Sequence, residues 1–321
     1  MSKDVNIQIP FLGGSYEGKS NKINAQHSIN LFPVFDSKEP KSAIAMYCTP
    51  GLTKRIEIGI TNKVRRMHIL GDLLYVVTGS RVSEIQTNWN ASTLGTITTS
   101  SGHVSMADNG TQLLIVDGTN KGYIVTTGAI AQISDLDFPS STSCVFHNGY
   151  FIVTETDTGK IYTSKLYDGT SWNALDYATA ESAPDNLVGI GTTQRNLWLF
   201  GEKSTEVYQS VSNPDFPFDR VPGGIIDLGC ASIASMTEIN GVIYWLSDKG
   251  FIAKSSGYGY ERVSPNNIDY QISTYSDISD ATSYSYTLNG RIFYVITFPT
   301  ADKTWVLELL SGQWHEWQSQ W

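Results

Sequence analysis

Asn148-Gly-Tyr-Phe-Ile-Val-Thr154 decides how this 321-residue chain is read: a turn dipeptide runs straight into an uninterrupted apolar strand. Asn-Gly favours positive φ at both central residues of a type I′ turn, the tight connection of a β-hairpin. The strand behind it does not alternate apolar with polar residues, so it has no solvent face and must be covered on both sides. The arrangement recurs along the sequence. Leu74-Tyr-Val-Val-Thr78, Leu113-Leu-Ile-Val-Asp117, Leu197-Trp-Leu-Phe-Gly201, Ile243-Tyr-Trp-Leu-Ser247 and Ile292-Phe-Tyr-Val-Ile296 are runs of the same kind. Asn109-Gly110, Asn240-Gly241 and Asn289-Gly290 precede three of them; Gly71-Asp72 opens the first unit, and Gln194-Arg195-Asn196 at the fourth departs from the pattern.

Aligning Tyr75, Leu114, Phe151, Trp198, Tyr244 and Phe293 gives spacings of 39, 37, 47, 46 and 49 residues. A period of about 40 to 50 residues is that of propeller blades, in which four-stranded sheets stack around an axis and cover both faces of each inner strand. The predicted fold is therefore all-β, a six-bladed β-propeller with an extended N-terminal arm. A β-sandwich would explain apolar strands but not six similarly spaced units. Residues 64–69, 103–106 and 232–238 are predicted to enter the hairpins, and Trp172, Trp314 and Trp317 to pack between blades.

Residues 1–41 are rich in Gly, Asn, Ser and Lys, with Pro10, Pro33 and Pro40 interrupting any regular element, and read as the arm; residues 42–321 read as the propeller domain. A propeller has to join its first and last blades or leave open sheet edges. Residues 43–58, including Met46, Leu52 and Ile56, are expected to do this by pairing with the final unit near residues 305–317. The arm's Phe11, Tyr16 and Phe32 are then expected to contact neighbouring subunits.

Hydrophobic residues make up 40% of the chain and charged ones 17%, the composition of a folded domain. A net charge of -9 and a pI near 5.0 repel phosphate backbones and exclude a tight grip on nucleic acid. The N-terminus has no signal-type apolar region, and no apolar run approaches the ~18 residues of a membrane span, so synthesis and retention in a cytoplasm are expected. Cys48, Cys144 and Cys230 lack metal or disulfide spacing and read as buried free thiols.

Gly13-Gly-Ser-Tyr-Glu-Gly-Lys-Ser20 matches the phosphate-loop pattern, but that loop works only between a parallel strand and a helix whose amides converge on the phosphates. Pro10 lies just upstream and residues 21–31 make a poor helix. The five histidines are scattered singly, without ligand spacing. Glu155-Thr-Asp-Thr-Gly159 and Tyr167-Asp-Gly-Thr-Ser-Trp172 suggest calcium or sialidase-type Asp boxes, but they lack the alternating oxygen ligands of the first and the residue between Asp and Gly of the second, and they fit hairpin turns. No catalytic residue, metal ligand or cofactor is predicted. The enzymatic rival is a carbohydrate-binding or glycosidase-type propeller acting on host surface glycans, which needs two carboxylates facing one pocket.

Several stretches resemble the packaged-DNA stabilisation (tail accessory, or head-completion) proteins of short-tailed phages. They are Phe11-Leu-Gly-Gly-Ser-Tyr16, Gln26-His-Ser-Ile-Asn-Leu-Phe-Pro33, Thr49-Pro-Gly-Leu52, Gly102-His-Val-Ser-Met-Ala107, Tyr177-Ala-Thr-Ala-Glu-Ser-Ala-Pro-Asp-Asn-Leu-Val-Gly-Ile-Gly191 and Ser204-Thr-Glu-Val-Tyr208, in the family's order. The resemblance implies a non-enzymatic virion protein of the tail hub, made in the host cytoplasm. It implies a homo-oligomeric ring below the portal and its adaptor that plugs the channel, keeps packaged DNA inside, and carries the tail needle or tailspikes. DNA would pass without sequence-specific binding, and no membrane is involved. Relatives continue into a further β-rich region, so a chain ending at Trp321 reads as a truncated or shorter variant. It also makes residues 13–20 arm sequence. Accordingly, Lys19→Ala should leave nucleotide affinity undetectable before and after the change; saturable ATP binding lost in the variant would overturn this reading.

Overall fold

The computed structural model describes residues 14–17, 25–26, 28–35, 44–58, 63–213 and 216–318. Six four-stranded antiparallel meanders follow one another in chain order, each with its strands in sequential order, and make the chain an all-β six-bladed β-propeller. Blade 1 is built from Val64–Leu70, Leu73–Thr78, Arg81–Ile85 and Ala91–Thr96, and blade 2 from Ser105–Asp108, Leu113–Val116, Tyr123–Thr126 and Ala129–Gln132. Blade 3 comprises Ser141–His147, Tyr150–Glu155, Lys160–Lys165 and Asp168–Thr179, and blade 4 Leu187–Thr192, Asn196–Gly201, Thr205–Ser210 and Phe218–Ile226. Blade 5 comprises Thr237–Ile239, Val242–Leu246, Ile252–Ser256 and Gly259–Arg262, and blade 6 Thr282–Leu288, Arg291–Phe298, Lys303–Glu308 and Gln313–Trp317. Each apolar run predicted from sequence is the second strand of its blade.

The turns into those strands show why Asn-Gly recurs. At Asn148-Gly149, Asn240-Gly241 and Asn289-Gly290 both residues have positive φ, between 51° and 88°. The flanking residues pair directly, as a two-residue type I′ hairpin requires. Blade 2 differs: Asn109 stays out of the left-handed region, and its Oδ1 accepts from the Thr111 and Gln112 amides at 3.0 and 2.7 Å. At blade 4 the Thr193 N–H donates to the Asn196 carbonyl at 2.9 Å. One α-helix, Asn266–Ser273, follows blade 5 and was not anticipated from the sequence.

The chain divides into two compact units. A blade unit holds residues 53–249 and 253–261, and an arm unit holds residues 1–52, 250–252 and 262–321.

In the blade unit the second strands are covered on both faces: Leu113, Leu114, Ile115 and Val116 are all fully buried. Full burial of such a side chain stabilises by roughly 1.5–3 kcal/mol. Apolar clusters join blade 1 to blade 2 through Tyr75, Val77, Met106 and Leu113, blade 2 to blade 3, and blade 3 to blade 4. Trp172 sits in the cluster of blades 2 and 3, edge-on to Phe138 at 5.0 Å. Polar clasps reinforce these joints. The Arg65 guanidinium donates to the carbonyls of Gly79, Thr99, Ser101 and Gly102 and to Thr99 Oγ1, all within 2.9 Å. Asp117 Oδ2 accepts from the Thr99 amide and hydroxyl, both at 2.9 Å, which ties the strand-connecting turn of blade 2 to the linker that precedes it. Gly229 lies where a Cβ would stand 2.3 Å from the Glu202 carbonyl oxygen, a backbone approach only glycine permits.

In the arm unit, blade 6 draws all four strands from residues 282–317. Residues 43–58 do not complete it: Ile44–Cys48 pairs with Leu31–Phe35, with Met46 opposite Pro33. The edge of blade 6 is occupied instead by residues 28–30. Asn30 N–H donates to the Glu316 carbonyl at 2.9 Å, and Glu316 N–H donates to the Ser28 carbonyl at 3.1 Å, around a parallel Ile29–Glu316 bridge. The physical reason is that Gln313–Trp317 already supplies the fourth strand, leaving only its outer backbone groups for a short parallel addition. Phe32 is buried at 5% exposure, edge-on to Phe293 at 5.1 Å, so this arm aromatic packs within its own chain rather than presenting itself to a neighbouring subunit. Trp314 is buried edge-on to Tyr294, and Trp317 stacks on Tyr286 at 5.7 Å.

His315 is fully buried between Phe32 and Phe293, and neither ring nitrogen has a hydrogen-bond partner among the described residues. Burial pushes its pKa down to about 4. Below its unfolded value of about 6.5 the unfolded chain takes up a proton that the folded chain refuses, so stability falls as pH drops from about 6.5 towards 4. Denaturant unfolding at pH 7 and pH 4.5 should show His315→Phe losing roughly 2–3 kcal/mol less than the parent over that interval. Equal losses would mean the imidazole is solvated.

Candidate functional site

The first strands of blades 1 to 5 carry polar residues among apolar ones, and the blade unit gathers them around a cavity of about 350 Å³. Blade 1 contributes Arg66 and His68, the segment entering blade 2 His103, blade 2 Ser105 and Asp108, blade 3 Ser143 and Cys144, blade 4 Gly191 and Thr192, and blade 5 Thr237 and Glu238. Chain order separates these residues widely; the sequential stacking of blades brings them together.

His68 Nε2 and Asp108 Oδ2 meet at 2.6 Å, and the other oxygen of Asp108 accepts from the Gly110 amide at 2.8 Å. Glu238 accepts from the Gly241 amide in the turn at its strand's end. His103 is pushed down to about 3, first by burial and then by the positive charges of Arg66 and Arg65, so its imidazole is neutral at physiological pH. Arg66 is also pushed down by burial, and its Nε has no hydrogen-bond partner. Ser105 Oγ accepts from the Cys144 amide at 3.1 Å and donates to the Cys144 carbonyl at 3.3 Å. Ser143 Oγ accepts from the Ile190 amide at 3.2 Å, joining blade 3 to blade 4.

This arrangement contains polar binding groups but no activated nucleophile. The Cys144 thiol, buried against Leu114 and Ser105, is pushed up to about 12 by burial, and a thiol held protonated neither attacks nor ligates. Cys230 is pushed up likewise to about 12, its thiol donating to the Ser232 carbonyl at 3.1 Å. Among the described residues no group of three His, Cys, Asp or Glu side chains is placed to hold a metal ion. Asp157 and Asp168, weighed for calcium, stand at hairpin turns; Asp168 Oδ1 accepts from the Thr170 amide and hydroxyl at 2.9 and 2.7 Å, which lowers its pKa.

The residues singled out from sequence lie elsewhere. Phe11 is outside the described residues, as is Lys19 with most of the phosphate-loop lookalike, and Tyr16 belongs to a short strand pairing with Gln26. Met46 and Ile56 are half-buried, while Leu52 is 67% exposed and lines a second cavity, of about 610 Å³, in the arm unit with Asn30, Thr49, Tyr284, Trp317 and Gln318. Cys48 is exposed, contrary to the expectation of a buried thiol, because its strand covers only the short Leu31–Phe35 strand. Sequence reading missed Arg66, His103 and Ser143. Their signal is the polar residue recurring at the entry strand of each unit, which means little until those strands share a cavity.

The family model described as bacteriophage P22 Gp10, beta-propeller matches residues 7–321. A search of curated proteins finds no significant match. Among solved structures, the computationally designed Ika8 protein is 8% identical with a TM-score of 0.50, over 80% of this chain and 74% of that one. The extracellular domain of a hybrid two-component system of B. thetaiotaomicron is 10% identical with a TM-score of 0.51, over 79% of this chain and 33% of that one. These two likenesses establish the fold alone. In the native chain a thiol-specific chromogenic reagent should label Cys48 promptly and the other two cysteines only on unfolding; prompt labelling of more than one thiol would contradict the burial described here.

Proposed function

The chain belongs to the phage-stabilisation family of bacteriophage P22 Gp10, and from that premise we propose that it is a non-enzymatic plug and connector of a short-tailed phage tail hub. Membership makes it a phage structural protein associated with the tail. Beyond this, it closes the portal channel after packaging, retains the DNA, and joins portal and adaptor to the distal needle or tailspikes as a homo-oligomeric ring. The observation that carries the reading is the family match across residues 7–321.

The chemistry agrees with it. Several carboxylates of the propeller are used as acceptors for its own backbone. Asp117, Asp185 and Asp248 each accept amide donors from a blade linker or a strand-connecting turn. The two acids at the central cavity serve His68 and the turn amides of Gly110 and Gly241. A glycosidase needs two carboxyls facing one sugar-sized gap, and here Asp108 is engaged by His68 and the Gly110 amide while Glu238 is engaged by the Gly241 amide. With a net charge of -9, the protein repels passing DNA rather than binding it.

Two measurements test this. Electron microscopy of the chain mixed with its cognate portal should show added density at the portal's tail-proximal end. Particles assembled without the protein should package DNA and then release it to nuclease, and adding the protein back should restore protection. Particles that retain DNA fully without it would refute the retention role.

A further inference from the structure

Arg66 stands out among the residues around the central cavity. Its neighbour Arg65 has a full set of carbonyl and hydroxyl acceptors. Arg66 has no ion-pair partner among the described residues, and its Nε is buried without a hydrogen bond. Charge interaction reaches it from the Cys144 thiol, which burial keeps protonated and therefore neutral. A partly buried guanidinium with no anion beside it has unused binding capacity, and its planar fork of donors matches an oxyanion.

The other charged groups lining the cavity do not satisfy it. Asp108 is paired with His68 at 2.6 Å and Glu238 is held by the Gly241 amide. Two neutral donors share the same space. Ser143 Oγ accepts from Ile190 N–H, which leaves its hydroxyl proton without an acceptor among the described residues. His103 is neutral, so one ring nitrogen carries a proton that it can donate. These groups come from blades 1 and 3 and from the segment entering blade 2, and donors converging from separate segments suit a tetrahedral anion better than a planar one.

We propose that the cavity enclosed by the first strands of blades 1 to 5 is a binding site for a small phosphate-type oxyanion, gripped by Arg66 with Ser143 and His103 as further donors. The cavity, about 350 Å³, holds roughly ten waters' volume, enough for phosphate with part of an attached group. Binding supplies an anion to a half-buried charge and draws groups of blades 1 and 3 and of the segment entering blade 2 onto one ligand.

The test is a calorimetric titration of the full chain with inorganic phosphate at constant ionic strength, with chloride as the blank. A parallel series with adenosine monophosphate separates a free phosphate ion from one carried on a larger molecule. Saturable binding of inorganic phosphate is expected and none of the nucleotide; phosphate binding is weakened at least tenfold by Arg66→Gln and a few-fold by Ser143→Ala. Lys121→Gln, at an exposed loop position outside the cavity lining, should leave binding unchanged. Should Arg66→Gln fail to fold, the imidazole resonance of His103 in the parent chain decides: phosphate should shift it and raise its titration midpoint. No saturation above the chloride blank, equal affinity in a folded Arg66→Gln chain, or an unmoved His103 resonance would each overturn the proposal.

Discussion

A β-strand that is apolar on both faces cannot lie at a surface, and this chain contains six of them. Each needs a sheet on either side, and each belongs to a meander too small to supply that cover itself. Residues such as Leu113 and Ile115 face one neighbouring blade while Leu114 and Val116 face the other, and all four are excluded from water. Blade 2 therefore has no independent stability to speak of: its core is half of two inter-blade clusters. The type I′ turns serve this requirement by reversing the chain in two residues, so that the next strand lies beside the first without a long excursion.

The carboxylates are a second expression of the same constraint. Hairpin turns and an irregular strand leave amides that no ladder satisfies, and acids in the linkers between blades accept them. Asp185 takes the Lys203 and Ser204 amides at 2.7 and 3.0 Å, and Asp135 takes the Trp172 amide at 2.9 Å. Part of the chain's acidity is thus architectural: these charges stabilise the joints as well as the solution behaviour of the surface.

The features legible in the sequence were those with a short-range signature. Two-faced apolar runs, Asn-Gly turns and a period near 45 residues depend on neighbours a few positions apart, and they predicted six blades with their second strands in place. Residues 43–58 were expected at the last blade where residues 28–30 pair instead, because that pairing is made by backbone groups: any sequence can offer the N–H and C=O by which Ser28 and Asn30 bond Glu316. Phe32, expected to contact a neighbouring subunit, finds its cover in Phe293, and nothing near it in sequence announces that partner. The cavity was invisible for a related reason. Arg66, His103 and Ser143 each look like ordinary polar positions in separate segments, and only the order of the blades makes them neighbours. The helix at Asn266–Ser273 escaped because it is short, with Ile268 and Ile272 its only buried residues.

The pairing of residues 28–30 with the last blade also has a bearing on time. Asn30 Nδ2 donates to the Gln318 carbonyl across a sequence separation of 288 residues, and the Gly14 amide reaches Gln313 across 299. During synthesis the early blades emerge in order and can stack as they appear, since each contacts the one before it. Residues 28–30 cannot find their place until the last blade, nearly 290 residues later, has been made. At about 5–20 residues per second this leaves the segment without its partner strand for tens of seconds. An extended piece of chain with unpaired backbone groups is a hazard over such an interval, and a sequence there rich in proline and lysine, poor at pairing with strangers, is what a slow wait demands.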